Sequence, residues 1–133
     1  MELPRGLRNN NPGNIRLSRD KWVGLRREQT DPQFFQFTDI EYGYRALIII
    51  LQNYRRKHGL QTIAEMIHRW APSNENNTVG YISRVCSEMQ VPTTFVPDVD
   101  DKTTMVNMAA AISLVENGIP AERYHIENAW LLI

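Results

Sequence analysis

A mainly α-helical fold of the α+β kind, in one domain, follows from three features of the sequence. Five segments join a helix-start signal to apolar residues recurring at the helical period. β-type patterning is confined to two short apolar-aromatic runs near the start. The chain's 133 residues suit one core of ordinary size and leave little for a second.

Taken in order, residues 1–20 are rich in turn formers, with Asn9, Asn10, Asn11, Pro12, Gly13 and Asn14 in succession. Trp22–Leu25 and Phe34–Phe37 flank Asp31-Pro32, which predicts a small β-hairpin. Thr38-Asp-Ile-Glu41 fits a capping box opening a helix that runs to about His58, with Gly59 as its stop. Leu47 to Leu51 is apolar on every face, so this helix is expected at the centre of the domain. Thr62–Glu65 is a second capping box, starting a short helix (Ile63, Met66, Ile67, Trp70) that Pro72 ends. The polar loop Ser73–Asn77 leads to a third helix near 78–89, in which Cys86 reads as a small core residue. Pro92 and Pro97 bracket an extended link. Asp100 or Asp101 then caps a fourth helix over 102–117, stopped by Asn117-Gly118. Pro120 suits the first position of a last helix reaching about Leu132.

Several functions are disfavoured by composition. The longest apolar run, Ala46–Leu51, is far too short to span a bilayer, and the N-terminus lacks the apolar core of a signal peptide. The expected place of synthesis is therefore the cytoplasm. Residues 1–58 carry 11 Lys/Arg against 6 Asp/Glu, and residues 59–133 carry 4 against 9. The balance suggests halves that neutralise each other in the fold, and nucleic acid is not an expected partner. No phosphate loop, His-Glu-x-x-His or Cys-x-x-Cys is present, and His58, His68 and His125 lack metal-ligand spacing. Neither a cofactor nor a metal is expected.

Carboxylates remain, and Glu116 stands apart from the others. It ends Met108-Ala-Ala-Ala-Ile-Ser-Leu-Val115, a small-residue helix that must pack closely. An acid in the last helical turn meets the negative end of the macrodipole. Burial and that dipole both favour the protonated form of a carboxyl placed there, which suits a general acid. A solvent-facing Glu on an ordinary helix end is the alternative.

The residues Arg5-Gly-Leu-Arg-Asn-Asn-Asn-Pro-Gly-Asn-Ile-Arg16, with Trp22-x-Gly24, Phe34-x-x-Phe37, Gly43–Ala46, Trp70–Thr78, Tyr81 and Val115-Glu-Asn-Gly118, resemble a family of phage and prophage proteins labelled virion protein or structural protein P5. The resemblance covers essentially the whole chain. A second resemblance concerns chemistry. Murein-cleaving enzymes of the lysozyme-like superfamily carry their catalytic acid where an apolar helix runs into Glu-Ser-Gly, and Ile112–Gly118 looks like that element. Asn10–Arg16, Trp22–Gly24 and Phe34–Phe37 look like segments that follow the catalytic helix in the glucosaminidase branch. Here they precede it, and a circular permutation would account for the order.

What this resemblance implies is a lysozyme-like domain acting on the glycan strand of peptidoglycan, with Glu116 protonating the glycosidic oxygen. Glu28, Asp31, Asp39 and Glu75 are the candidates for a second carboxylate. Without one, a lytic transglycosylase with a single Glu is implied. Asn10, Asn11, Asn14, Trp22, Glu75 and Tyr81 are the expected substrate-binding residues, and Trp70 a further stacking face. The rival expectation is a non-catalytic virion module whose partners are other virion proteins.

Overall fold

The computed structural model describes residues 2–133 and contains six helices. They are α1 (Arg5–Arg8), α2 (Ile40–Arg56), α3 (Ile63–Trp70), α4 (Thr78–Met89), α5 (Lys102–Asn117) and α6 (Arg123–Trp130). No sheet forms among the described residues. The core gathers around α2 and α5, where Leu47, Ile48, Leu51, Met105, Met108 and Ile112 are fully buried. Helix α2 packs on α5 and α6, α4 bridges α3 and α5, and α1 rests on α5. Ala109, Ala111 and Ser113 keep α5 narrow, so the Tyr44 hydroxyl of α2 can meet Ser113 Oγ at 3.1 Å.

Three of the six helix starts, those of α3, α4 and α5, are capped by side chains. Thr62 and Glu65 form the reciprocal capping box on α3. Asn77 accepts from the Gly80 amide at α4, and Asp101 from the Thr104 amide at α5. Gly118 takes the left-handed conformation that ends α5 (φ 71°).

Other expectations need correction. The Thr38–Glu41 capping box does not form. Asp39 is the residue at the start of α2, and Glu41 instead meets His125 Nδ1 of α6 at 2.5 Å. Pro120 lies outside α6, which begins after Glu122. The single turn α1 carries no start signal beyond Pro4 and was not expected from the sequence.

The hairpin is replaced by two isolated antiparallel bridges, Arg16 with Phe34 and Leu25 with Phe37. Polar side chains take the backbone groups a ladder would use. Gln29 bonds both the amide and the carbonyl of Gln36, and the Gln36 side chain accepts from the Thr30 amide. Asp31 accepts from the amides of Gln33 and Phe34. Behind these loops Ile15, Phe35, Phe37 and Ala46 form a second small core, with Trp22, Leu25 and Tyr42 against it.

Asp31 anchors this region. Arg5 grips it with two bonds, Nε to Oδ2 at 2.7 Å and a terminal nitrogen to Oδ1 at 2.6 Å, and Asn9 adds one at 3.0 Å. The Arg5 guanidinium holds this carboxyl far below its ordinary value of 3.8, with the bonds from Gln33, Asn9 and Phe34 acting in the same sense against burial. A carboxyl depressed in the folded state contributes stability above its unfolded value and loses it as the pH falls. Asp31→Asn is therefore expected to cost about 2–3 kcal/mol in urea unfolding at pH 7, with the gap to the natural protein closing below about pH 4.

At Gly43 a side chain would run into the Asn10 carbonyl oxygen and the Pro12 ring. Gly43→Ala should lower stability by about 1–3 kcal/mol, read as a fall in melting temperature.

Candidate functional site

Glu116 occupies the last turn of α5, half-buried, with each carboxylate oxygen accepting one hydrogen bond. Asn14 Nδ2 donates to Oε1 at 2.9 Å and the Tyr81 hydroxyl to Oε2 at 2.7 Å. The same hydroxyl lies 3.1 Å from Trp70 Nε1. An indole N–H can only donate, so the Tyr81 oxygen accepts from Trp70 and gives its own proton to Glu116. Burial, with the negative charge of Glu116 beside it, pushes the Tyr81 hydroxyl far above its ordinary value of 10. A directed chain, Trp70 to Tyr81 to Glu116, thus links α3, α4 and α5.

The N-terminal loop reaches this point by a tight path. Asn10 and Asn14 adopt left-handed backbone (φ 51° and 50°), which asparagine tolerates better than most residues. Asn11, fully buried, donates to the carbonyls of Ile15 and Phe35 and accepts from the Ile15 amide. Asn117 Nδ2 ties the loop to α5 through the Pro12 carbonyl at 2.9 Å. The amide oxygens of Asn14 and Asn117 are buried without a partner and lie over Gly6 of α1. A Cβ at Gly6 would stand 2.6 Å from one and 2.8 Å from the other. Glycine there lets α1 close over the loop.

Glu116 opens onto a cleft of about 500 Å³. Gly13 and Asn14 form one edge, Trp70–Pro72 and Glu75 another, and Phe34, Ile50 and Tyr54 contribute apolar and aromatic surface. Arg16 and Arg69 supply cations. Arg16 pairs with Glu75 at 3.6 Å and lies 5.3 Å from the Phe34 ring centroid. Arg69 lies 5.6 Å from the Tyr54 ring centroid. Burial pushes the Tyr54 hydroxyl up to about 12, against the pull of the Arg69 charge.

Of the residues singled out from the sequence, Glu116, Asn14, Glu75 and Trp70 line this cleft. Tyr81 supports Glu116 from the protein side, only 7% exposed, so its ring offers little surface to a sugar. Trp22 packs in the second core with its indole nitrogen buried and unpartnered. Asn10 spends its amide on the carbonyls of Phe37 and Thr38. Among the other carboxylates, Asp31 is committed to Arg5, Asp39 starts α2, and Glu28 is exposed away from the cleft.

Sequence reasoning missed Arg16, Phe34, Tyr54 and Arg69. Phe34 read as part of a hairpin, and no local signal set Arg69 or Tyr54 apart from other helix residues. Among the described residues no three His, Cys, Asp or Glu side chains come together to hold a metal ion. Among the described residues no helix is long and apolar enough to cross a membrane.

The sequence matches no protein-family model. It is similar to protein P5 of Pseudoalteromonas phage PM2, 39% identical over 120 residues that span 88% of this chain and 73% of that protein. With that identity over most of both chains, the chain belongs to the family of phage protein P5.

Proposed function

We propose that the protein is a glycosidase acting on the glycan strand of peptidoglycan, with Glu116 as its general acid. The observation that carries this reading is the setting of Glu116. It is a carboxylate at a cleft wall, positioned by Tyr81 and Asn14, two neutral donors that fix its place without cancelling its charge. The two bonds use half of its roughly four lone-pair sites and leave the rest for a substrate. The aromatic surface of Trp70 at the cleft suits a sugar ring, and the groove has the volume of a ligand site.

The proposed reaction breaks the bond between C1 of one sugar and the bridging oxygen. Glu116 gives its proton to that oxygen as the leaving group departs through an oxocarbenium-like transition state. Glu75 is the second carboxylate, since it lines the same cleft, and it takes a proton from the water that adds to C1. Arg16 holds it in place. In the transglycosylase variant the sugar's own 6-hydroxyl adds to C1 in place of water, and Glu116 recovers the proton.

The lysozyme-like resemblance is part of the same proposal. The Asn-rich loop and the Glu-bearing helix, reversed in sequence order, meet through the Asn14–Glu116 bond. That meeting supports a circular permutation of such a domain.

The test compares clearing of purified murein by the natural protein and by Glu116→Gln, with analysis of the products. Clearing by the natural protein is expected, with a loss of about 10²–10⁴-fold in the variant. A reducing end marks hydrolysis, for which Glu75→Gln should also be impaired. An anhydro end with Glu75→Gln fully active would select the transglycosylase. Equal clearing by the natural protein and Glu116→Gln would remove Glu116 from the chemistry. Absence of clearing and of murein binding would leave a virion module among phage partners, the reading that the phage relative supports.

Tyr81→Phe removes the donor to Glu116 and strands the Trp70 N–H. It should cost about 1–3 kcal/mol of stability and reduce clearing at unchanged murein binding, read by thermal melts beside a pelleting assay.

A further inference from the structure

Among the charged groups of the cleft, Arg16 and Glu75 satisfy each other and Glu116 is held by neutral donors. Arg69 differs. It stands in the last turn of α3 beside Trp70, exposed, and among the described residues it has neither an ion-pair nor a hydrogen-bond partner. The Tyr54 ring restrains its guanidinium from one side and leaves the fork of N–H donors uncommitted. The helix dipole accounts for a cation at this end of α3, and His68, its neighbour in the same turn, would serve the dipole equally from outside the cleft. The dipole does not account for the place of Arg69 on the cleft wall.

A guanidinium beside a sugar groove selects by charge. A polymer of N-acetylglucosamine alone offers no anion. Murein bears a lactyl ether on alternate sugars, extended by peptides whose carboxylates are ionised at neutral pH. We infer that Arg69 is a specificity-determining residue of this cleft, pairing through its fork with a carboxylate on the side branch of an acid-substituted amino-sugar glycan and so favouring it over the neutral polymer. The inference rests on the glycosidase reading above.

The experiment uses the full chain carrying Glu116→Gln, so that nothing is cleaved. Calorimetry compares a neutral N-acetylglucosamine tetramer with an uncrosslinked murein tetrasaccharide bearing its peptides. The murein fragment should bind about ten-fold tighter, as one charge-assisted pair would give. Adding Arg69→Met should bring the ratio close to one. Arg69→Lys should retain part of it, and the ratio should shrink as salt is raised. A ratio that survives Arg69→Met overturns the inference. Equal binding of the two glycans before Arg69 is touched also overturns it and leaves the glycosidase reading standing. Binding of neither overturns both.

Discussion

The contact between the N-terminal loop and the last turn of α5 is the constraint on which the site depends. Two bonds make it, Asn14 to Glu116 and Asn117 to the Pro12 carbonyl, joining residues 102 and 105 positions apart. Closing so long a loop costs entropy that two hydrogen bonds alone do not offset. Surrounding packing supplies the rest. Gly6 lets α1 cover the two amides, Gly43 admits the Asn10–Pro12 backbone onto α2, and Gly13 receives the edge of Trp70. Three glycines thus set how closely three elements approach, and the cleft is the space left between them.

This dependence separates what was legible in the sequence from what was not. Local chemistry was legible. Thr62 with Glu65, Asn77, Asp101 and Gly118 act on amides and carbonyls within a few residues, so reading the neighbours sufficed. The Thr38–Glu41 box failed for the opposite reason. His125, 84 positions away, offers Glu41 a ring nitrogen at 2.5 Å in place of a backbone amide, and no window over α2 contains it. The hairpin failed by a different route. Its alternation of aromatic residues does bury Phe35 and Phe37, but Gln29, Asp31 and Gln36 satisfy the backbone from their side chains and no ladder is needed.

The site was legible in the same partial way. Glu116 was found because a carboxylate at the end of a small-residue helix is out of place on local grounds. Asn14 and Asn11 share one motif and one residue type, yet one meets Glu116 and the other is sealed against Ile15 and Phe35. Only the fold distinguishes them. The charge split between the halves is partly resolved across the domain, since Arg16 meets Glu75 and Arg56 meets Asp100. One of those pairs forms the far wall of the cleft, so charge balance and site construction are the same event there.

A comparison of the acids sets Glu116 apart by the kind of partners that hold it. Asp31 is saturated by a bidentate arginine and three further donors, and withdrawing it would strand the Arg5 charge. Glu65 is spent on the start of α3 and Glu41 on His125. Each of these carboxylates lowers its energy by staying where it is, in a charged or backbone-bound state. Glu116 is instead oriented by an amide and a phenol, and the phenol is itself oriented by an indole. Because the Trp70 N–H admits only one direction of donation, Tyr81 cannot turn to accept from Glu116 without losing a bond. Tyr81 and Asn14 thus each take one carboxylate oxygen of Glu116 from the protein side, and the side chain they hold lines the cleft.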